Sequence, residues 1–237
     1  MFAIARAELR MLVRNRLVAA CAILIPLGLA AVFLFQGRGA SGGGFTAVLQ
    51  VMVMVSMGVY VTATTTLAAR RQTLFLKRLR SGAASDSTII AGLVAPIVVI
   101  SLVQVAVVLG VLAVVVDSPA VPWLVVLAVV AIEALFAAFA LATAGVTNSP
   151  EHAQVTTIPL FFVALGASLW ILLTGTEELG LVKRLLPGGA PAELLSLGWG
   201  GGDGDLSAVP LLLAISVGWV VIGVVAARTM FRWEPRA

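Results

Sequence analysis

Glu133 is the one acidic residue that falls deep inside an apolar run of this 237-residue chain. An ionised carboxylate in hydrocarbon costs ~2.5–3.5 kcal/mol on insertion scales, so the group must be protonated or partnered. Gln104 supplies a partner. It and Glu133 stand nearly the same number of residues on either side of a turn near residue 119, so an antiparallel hairpin brings them to one depth. The spacing predicts that neutral Glu133 and Gln104 hydrogen-bond across the hairpin as a packing clamp. Such bonds average only ~0.6 kcal/mol, so the pair limits a penalty rather than driving the fold. The rival reading has Glu133 facing a path, where it binds a cationic substrate or relays protons.

Other reactive side chains are sparse. Lys77 and Lys183 are the only lysines, and neither follows the glycine of a phosphate-binding loop, so the chain carries no recognisable P-loop. His152 is the only histidine, which argues against a histidine-rich metal site and against a Ser-His-Asp triad. Cys21 is the only cysteine, which excludes an internal disulfide. The densest polar stretch holds Arg70, Arg71, Lys77, Arg78 and Arg80, with Leu74, Phe75, Leu76 and Leu79 among them. A helix over 73–80 sets Phe75, Leu76 and Leu79 in one apolar ridge flanked by cations. Tied at both ends to apolar spans, such a helix suits docking into a groove on a soluble partner. A solvated basic loop that only fixes topology explains the same charges.

These residues are positioned by a membrane-type chain. Composition is 61% hydrophobic and 11% charged, with net charge +4 and pI ≈ 10.2. The basic residues cluster at the ends of apolar runs, which reads as a topology signal and not as a nucleic-acid surface. Six runs, at about 17–35, 45–68, 89–116, 122–146, 153–174 and 209–227, are long enough to span a bilayer as helices. None alternates with period two, which argues against a barrel. The expected fold is an all-α integral membrane protein with six transmembrane helices in a single domain over 1–237. Residues 2–16, with Arg6, Arg10 and Arg14 on one stripe, read as an interfacial amphipathic helix. With both termini in the cytoplasm, the inner segments hold most of the Lys and Arg, and only Arg38, Lys183 and Arg184 lie outside.

The connections differ. Residues 36–44 read as a flexible glycine-rich turn and 117–121 as a tight turn, whereas 69–88 is the basic inner loop. The outer segment 175–208 is long and reads as short interfacial helices broken at Pro187 and Pro191. Small residues repeat at i+4 as Ala134, Ala138 and Ala142, as Ala214 and Gly218, and as Gly223 and Ala227, a spacing that permits close helix contact. Ser56, Tyr60 and Thr64 give the second span one mildly polar face. It either lines a path or turns its hydroxyls back onto its own helix, the second being favoured.

This order of elements resembles the permease subunits of ABC-2 type transporters, the group that includes bacterial drug and antibiotic exporters. The likeness is carried by Leu76-Lys77-Arg78-Leu79-Arg80 leading to Ile89-Ile90-Ala91-Gly92, by Asn148-Ser149-Pro150-Glu151-His152-Ala153-Gln154 leading to Pro159, and by Leu186-Pro187-Gly188-Gly189-Ala190-Pro191. The resemblance implies coupling residues at Thr73, Phe75, Leu76, Lys77, Arg78, Leu79, Arg80, Glu151 and His152. It implies a partner ATPase, present as two copies, that carries ATP and Mg²⁺, and no cofactor on this chain. It also implies a second permease, identical or homologous, sharing a substrate path lined by Met52, Ser56, Tyr60, Phe161, Leu165 and Ser168. The expected setting is the bacterial cell membrane, in contact with lipid and not with nucleic acid. A structural or regulatory membrane subunit without a path is the alternative.

Overall fold

The structure, a computed structural model, describes residues 42–81, 85–200 and 206–231, together with Gly28 and Val32. The expected interfacial helix 2–16 and nearly all of the first expected span, 17–35, lie outside the described residues. Among the described residues every regular element is helical, and five helices are long and apolar enough to cross a membrane. The chain is therefore read as a multi-pass membrane protein.

Helix α1 is Gly42–Gln72, continuous but π-helical over Ser56–Val61. It begins inside the expected glycine-rich turn and runs past the expected end at residue 68, because Arg71 in its last turn is itself buried. A turn at Thr73 and Leu74 leads into α2 (Phe75–Arg80). Helix α3 (Asp86–Val115) starts before its apolar run, because Ser85 caps it by accepting from the Thr88 amide at 3.4 Å. Helix α4 (Pro122–Val146) has the expected bounds, with Pro122 at its first position, where no amide donor is needed. Helix α5 (Pro150–Thr174) is capped in the same manner by Ser149, which accepts from the His152 amide at 3.2 Å. Helices α6 (Gly180–Leu185) and α7 (Gly189–Trp199) follow, and α8 (Val209–Met230) closes the bundle.

The segment between α5 and α8 corrects the expectation of interfacial helices. It folds into the bundle as a re-entrant hairpin, and most of α7 is buried. Depth follows from its contacts. A Cβ on Gly188, at the hairpin tip, would lie 2.8 Å from Met52 Cε and 3.0 Å from Ala164 Cα. Trp219 Nε1 donates to the Leu185 carbonyl at 2.9 Å. Met52, Ala164 and Trp219 are each about 15 Å from the nearer end of their helices at a rise of ~1.5 Å per residue, so the tip reaches well into the bundle. Pro191 does not break α7, because it occupies the first turn, where proline is tolerated. The hairpin's charges are matched within it and at the end of α5. Arg184 and Glu193 form a two-pronged pair at 2.8 and 2.6 Å, and Lys183 Nζ donates to Thr174 Oγ1 and the Gly175 carbonyl at 2.8 and 2.7 Å.

Helices α4 and α8 pack closely through the small residues Ala138 and Gly223. A Cβ on Gly223 would sit 2.9 Å from Ala138 Cβ, whereas one on Gly218 would meet nothing within 4 Å. The Gly223–Ala138 spacing is thus a contact, while Gly218 of the Ala214–Gly218 repeat faces open space. Gly223→Val is expected to destabilise the fold by about 1–3 kcal/mol through overpacking, with Gly218→Val unchanged. Thermal unfolding of the two variants in lipid nanodiscs checks this.

Candidate functional site

A ladder of polar contacts runs between α1 and α4 toward the basic end of the bundle. On α4, Glu133, Phe136, Ala140, Thr143 and Thr147 alternate three- and four-residue steps, so they share one face. Helix α1 answers all of them but Glu133. The Tyr60 ring lies 5.7 Å from Phe136, and its hydroxyl is 2.9 Å from Thr143 Oγ1. Thr64 Oγ1 donates to the Tyr60 carbonyl at 2.7 Å and approaches the Ala140 carbonyl at 3.4 Å. Arg71, only 2% exposed, donates to the Ala144 carbonyl at 2.8 Å and also to the Thr147 carbonyl.

The last rung has a clear physical role. Ala144 and Thr147 stand where α4 ends, and helix-end carbonyls lack partners within their own helix. A guanidinium supplies donors in a fixed fork and a charge that suits the negative end of the helix dipole. Thr147 Oγ1 is in turn 2.9 Å from Thr156 Oγ1 on α5. Arg71 therefore ties the end of α1 to the α4–α5 junction, a function hidden in the sequence among its basic neighbours.

Helix α2 is fastened to the same end. Leu76 is 0% exposed and packs with Leu67, Ile89, Leu93, Val94 and Ala144, with Phe75 and Leu79 half-buried beside them. Leu76 is thus corrected from a partner-facing residue to a core residue. The apolar ridge exists, but it faces the chain's own bundle, because the turn at Leu74 folds α2 back. Leu74 makes that turn with φ 56°, in the left-handed region that side chains rarely adopt. What α2 presents outward is Leu74, 45% exposed, with Thr73, Lys77, Arg78 and Arg80. Arg80 is also paired to Asp86 at 3.3 Å across the loop. Glu151 and His152 are exposed at the start of α5.

The expected path residues do not form one lining. Met52, Ser56, Tyr60 and Ser168 are buried in the chain's own core. Ser56 and Ser168 donate to the Val53 and Ala164 carbonyls of their own helices at 3.1 and 2.8 Å. Phe161 and Leu165 are half-buried on α5.

The clamp is corrected too. Glu133 Oε1 accepts from Ser101 Oγ at 2.7 Å, not from Gln104. Ser101 stands one turn before Gln104 on α3, and counting outward from a hairpin turn fixes depth only to about one helical turn. Glu133 Oε2 is buried without a hydrogen-bond partner among the described residues. Ser101 lies against the π-helical part of α1, since a Cβ on Gly58 would sit 3.8 Å from Ser101 Oγ. The π turn widens the ladder, and Thr62 Oγ1 fills part of the gap by donating to the Met57 carbonyl at 3.0 Å. Single-turn π segments inside α-helices recur at functional sites.

At the opposite end a cleft is lined by Gly43, Phe45, Asp117, Thr176, Glu193 and Trp199. Both carboxylates there are engaged. Asp117 accepts from Trp199 Nε1 at 2.6 Å and from the Gly43 amide at 3.2 Å, and Glu193 holds Arg184. A scan against protein-family models and a comparison with curated proteins each return no match for this chain.

Proposed function

We propose that this chain is the permease subunit of an ATP-driven exporter of the ABC-2 type, set in the bacterial cell membrane with its basic end in the cytoplasm. In this reading it moves a hydrophobic or amphipathic compound outward. A separate ATPase, two copies per transporter, binds ATP and Mg²⁺ and does the hydrolysis. A second permease, identical or homologous, completes the path. The observation that carries the reading is the mechanical continuity of the basic end. Leu76 fastens α2 to the bundle, and Arg71 fastens α1 to the α4–α5 junction. A push on the outward face of α2 would thus be delivered to α1, α3, α4 and α5 as one body.

The docking face in this proposal is Leu74, Thr73, Lys77, Arg78 and Arg80, with Glu151 and His152 as a second contact. Leu74→Asp is the test, since aspartate tolerates a left-handed backbone better than leucine. Loss of one buried leucine, worth ~1.5–3 kcal/mol, should weaken ATPase association by about one to two decades. Co-purification of the ATPase from membranes, undiminished in a variant that inserts normally, would refute the docking face.

A structural or regulatory membrane subunit without a path is the second reading. It is favoured by one observation, the burial of Met52, Ser56, Tyr60 and Ser168 inside a single copy. Substrate-stimulated ATP hydrolysis by the reconstituted complex decides between the two.

A further inference from the structure

We propose that Glu133 is a reversible proton-binding site inside the bundle, opened to exchange at the π-helical turn of α1. The argument is one of hydrogen-bond accounting. Glu133 is 3% exposed, and one of its oxygens accepts from Ser101 Oγ while the other meets no partner among the described residues. If the group is ionised, a buried charge rests on a single donor, which is too little to offset its desolvation. If it is neutral, the proton on Oε1 can donate to Ser101 Oγ, and only a carbonyl lone pair on Oε2 goes unpaired. A purely structural clamp would pair both oxygens. Here Oε2 is open in either state: the closed bundle suits the neutral acid, and the ionised form needs water to reach that oxygen.

The surroundings leave the choice to the proton. The elements packed around Glu133 bring few titratable or charged groups. From α1 there is the Tyr60 phenol, already bonded to Thr143. From α3 there are Ser101 and, one turn on, Gln104, neither of which titrates. On α7 the only charge is Glu193, matched by Arg184. The other charges of these helices among the described residues, Arg70 and Arg71 of α1, Asp86 of α3, Glu151 and His152 of α5 and Arg228 of α8, stand at the helix ends toward the basic side. A second feature gives the site its route. The π turn is the one stretch of α1 whose ladder is already out of α register, and Gly58 within it presents no side chain toward Ser101. A one-residue shift of that turn is the motion that exposes Glu133. The proton is taken from water and returned to it, the carboxylate becoming the acid and back, with no other bond made or broken.

The experiment is labelling of the full chain in lipid nanodiscs with dicyclohexylcarbodiimide, which reacts with protonated carboxyls in apolar surroundings, followed by peptide mass spectrometry across pH. Label is expected on Glu133 at low pH, falling about tenfold for each pH unit above the midpoint. Ser101→Ala, which removes the one donor, is expected to move that midpoint by about one pH unit. No label on Glu133 at any pH would show a sealed structural acid and overturn the proposal, as would label independent of pH. Protection at constant pH by tetraphenylphosphonium would overturn it in favour of a site for organic cations. Glu133→Gln identifies the labelled peptide. The measurement needs no ATPase, so its failure is distinct from failure of the exporter reading.

Discussion

Arg71→Ala is expected to be among the most damaging single changes in the bundle. It strands the Ala144 and Thr147 carbonyls, both reached by the guanidinium at the end of α4. It also leaves a hole where a 2%-exposed side chain stood. At ~1–3 kcal/mol for each unsatisfied acceptor, the loss is about 3–5 kcal/mol, or roughly 10 °C in Tm for a chain of this size. Arg71→Lys should recover only part, because an ammonium is a point donor and cannot reproduce the fork. Arg70→Ala is the comparison. Arg70 lies over the half-buried Phe75 ring at 4.9 Å, a contact worth ~0.5–1 kcal/mol. Thermal unfolding of the three variants in nanodiscs would contradict this account if Arg71→Ala and Arg70→Ala fell together.

Gly188→Val should come next, for two independent reasons. Its φ of +88° is strained for any residue with a Cβ, at roughly 1–2 kcal/mol. The new side chain would also press into Met52 and the Ala164 backbone, adding about 1–3 kcal/mol. Met52 is flexible and can yield, but the α5 backbone cannot. The expected result is a hairpin lifted out of the bundle, with loss of the bond from Trp219 to the Leu185 carbonyl. Trp219 fluorescence should shift relative to wild type. Met52→Ala in the Gly188→Val background should restore stability only in part, and full restoration would show that the Ala164 contact does not matter.

The five described spans were legible because their signal is one of length and composition. Helix α4 has its expected bounds, flanked by a proline and by Thr147, and the ends of α3 and α5 moved outward only to the serines that cap them. The hairpin α6–α7 was not legible as buried. A short helix with apolar and charged residues reads the same whether it lies on an interface or sinks into a bundle with its charges paired. Only Lys183 meeting Thr174 and Arg184 meeting Glu193 settle the matter, and those meetings depend on tertiary structure. Among five basic residues, nothing local distinguishes Arg71 from its neighbours. Its inward course depends on α1 continuing to Gln72 and on the left-handed turn at Leu74. The apolar ridge of α2 is legible as a ridge, but spacing alone does not set whether it faces a partner or the chain's own bundle. Glu133 stands out from the residue alone, but its partner lies one turn from the expected Gln104 because a hairpin count assumes equal tilt in both helices.

The re-entrant hairpin also constrains the order of biogenesis. A helix needs ~20 apolar residues to partition on its own across a bilayer, and α6 and α7 have 6 and 11. Neither is retained in lipid alone, so the segment after α5 first leaves the insertion machinery as an unburied loop. The walls of its final slot are α1, α4, α5 and α8, and Trp219 on the last of them fixes its depth. Since α8 follows the hairpin in the chain, the hairpin can seat only after α8 is inserted. Its docking therefore follows the insertion of α8, and until then Lys183, Arg184 and Glu193 are unburied.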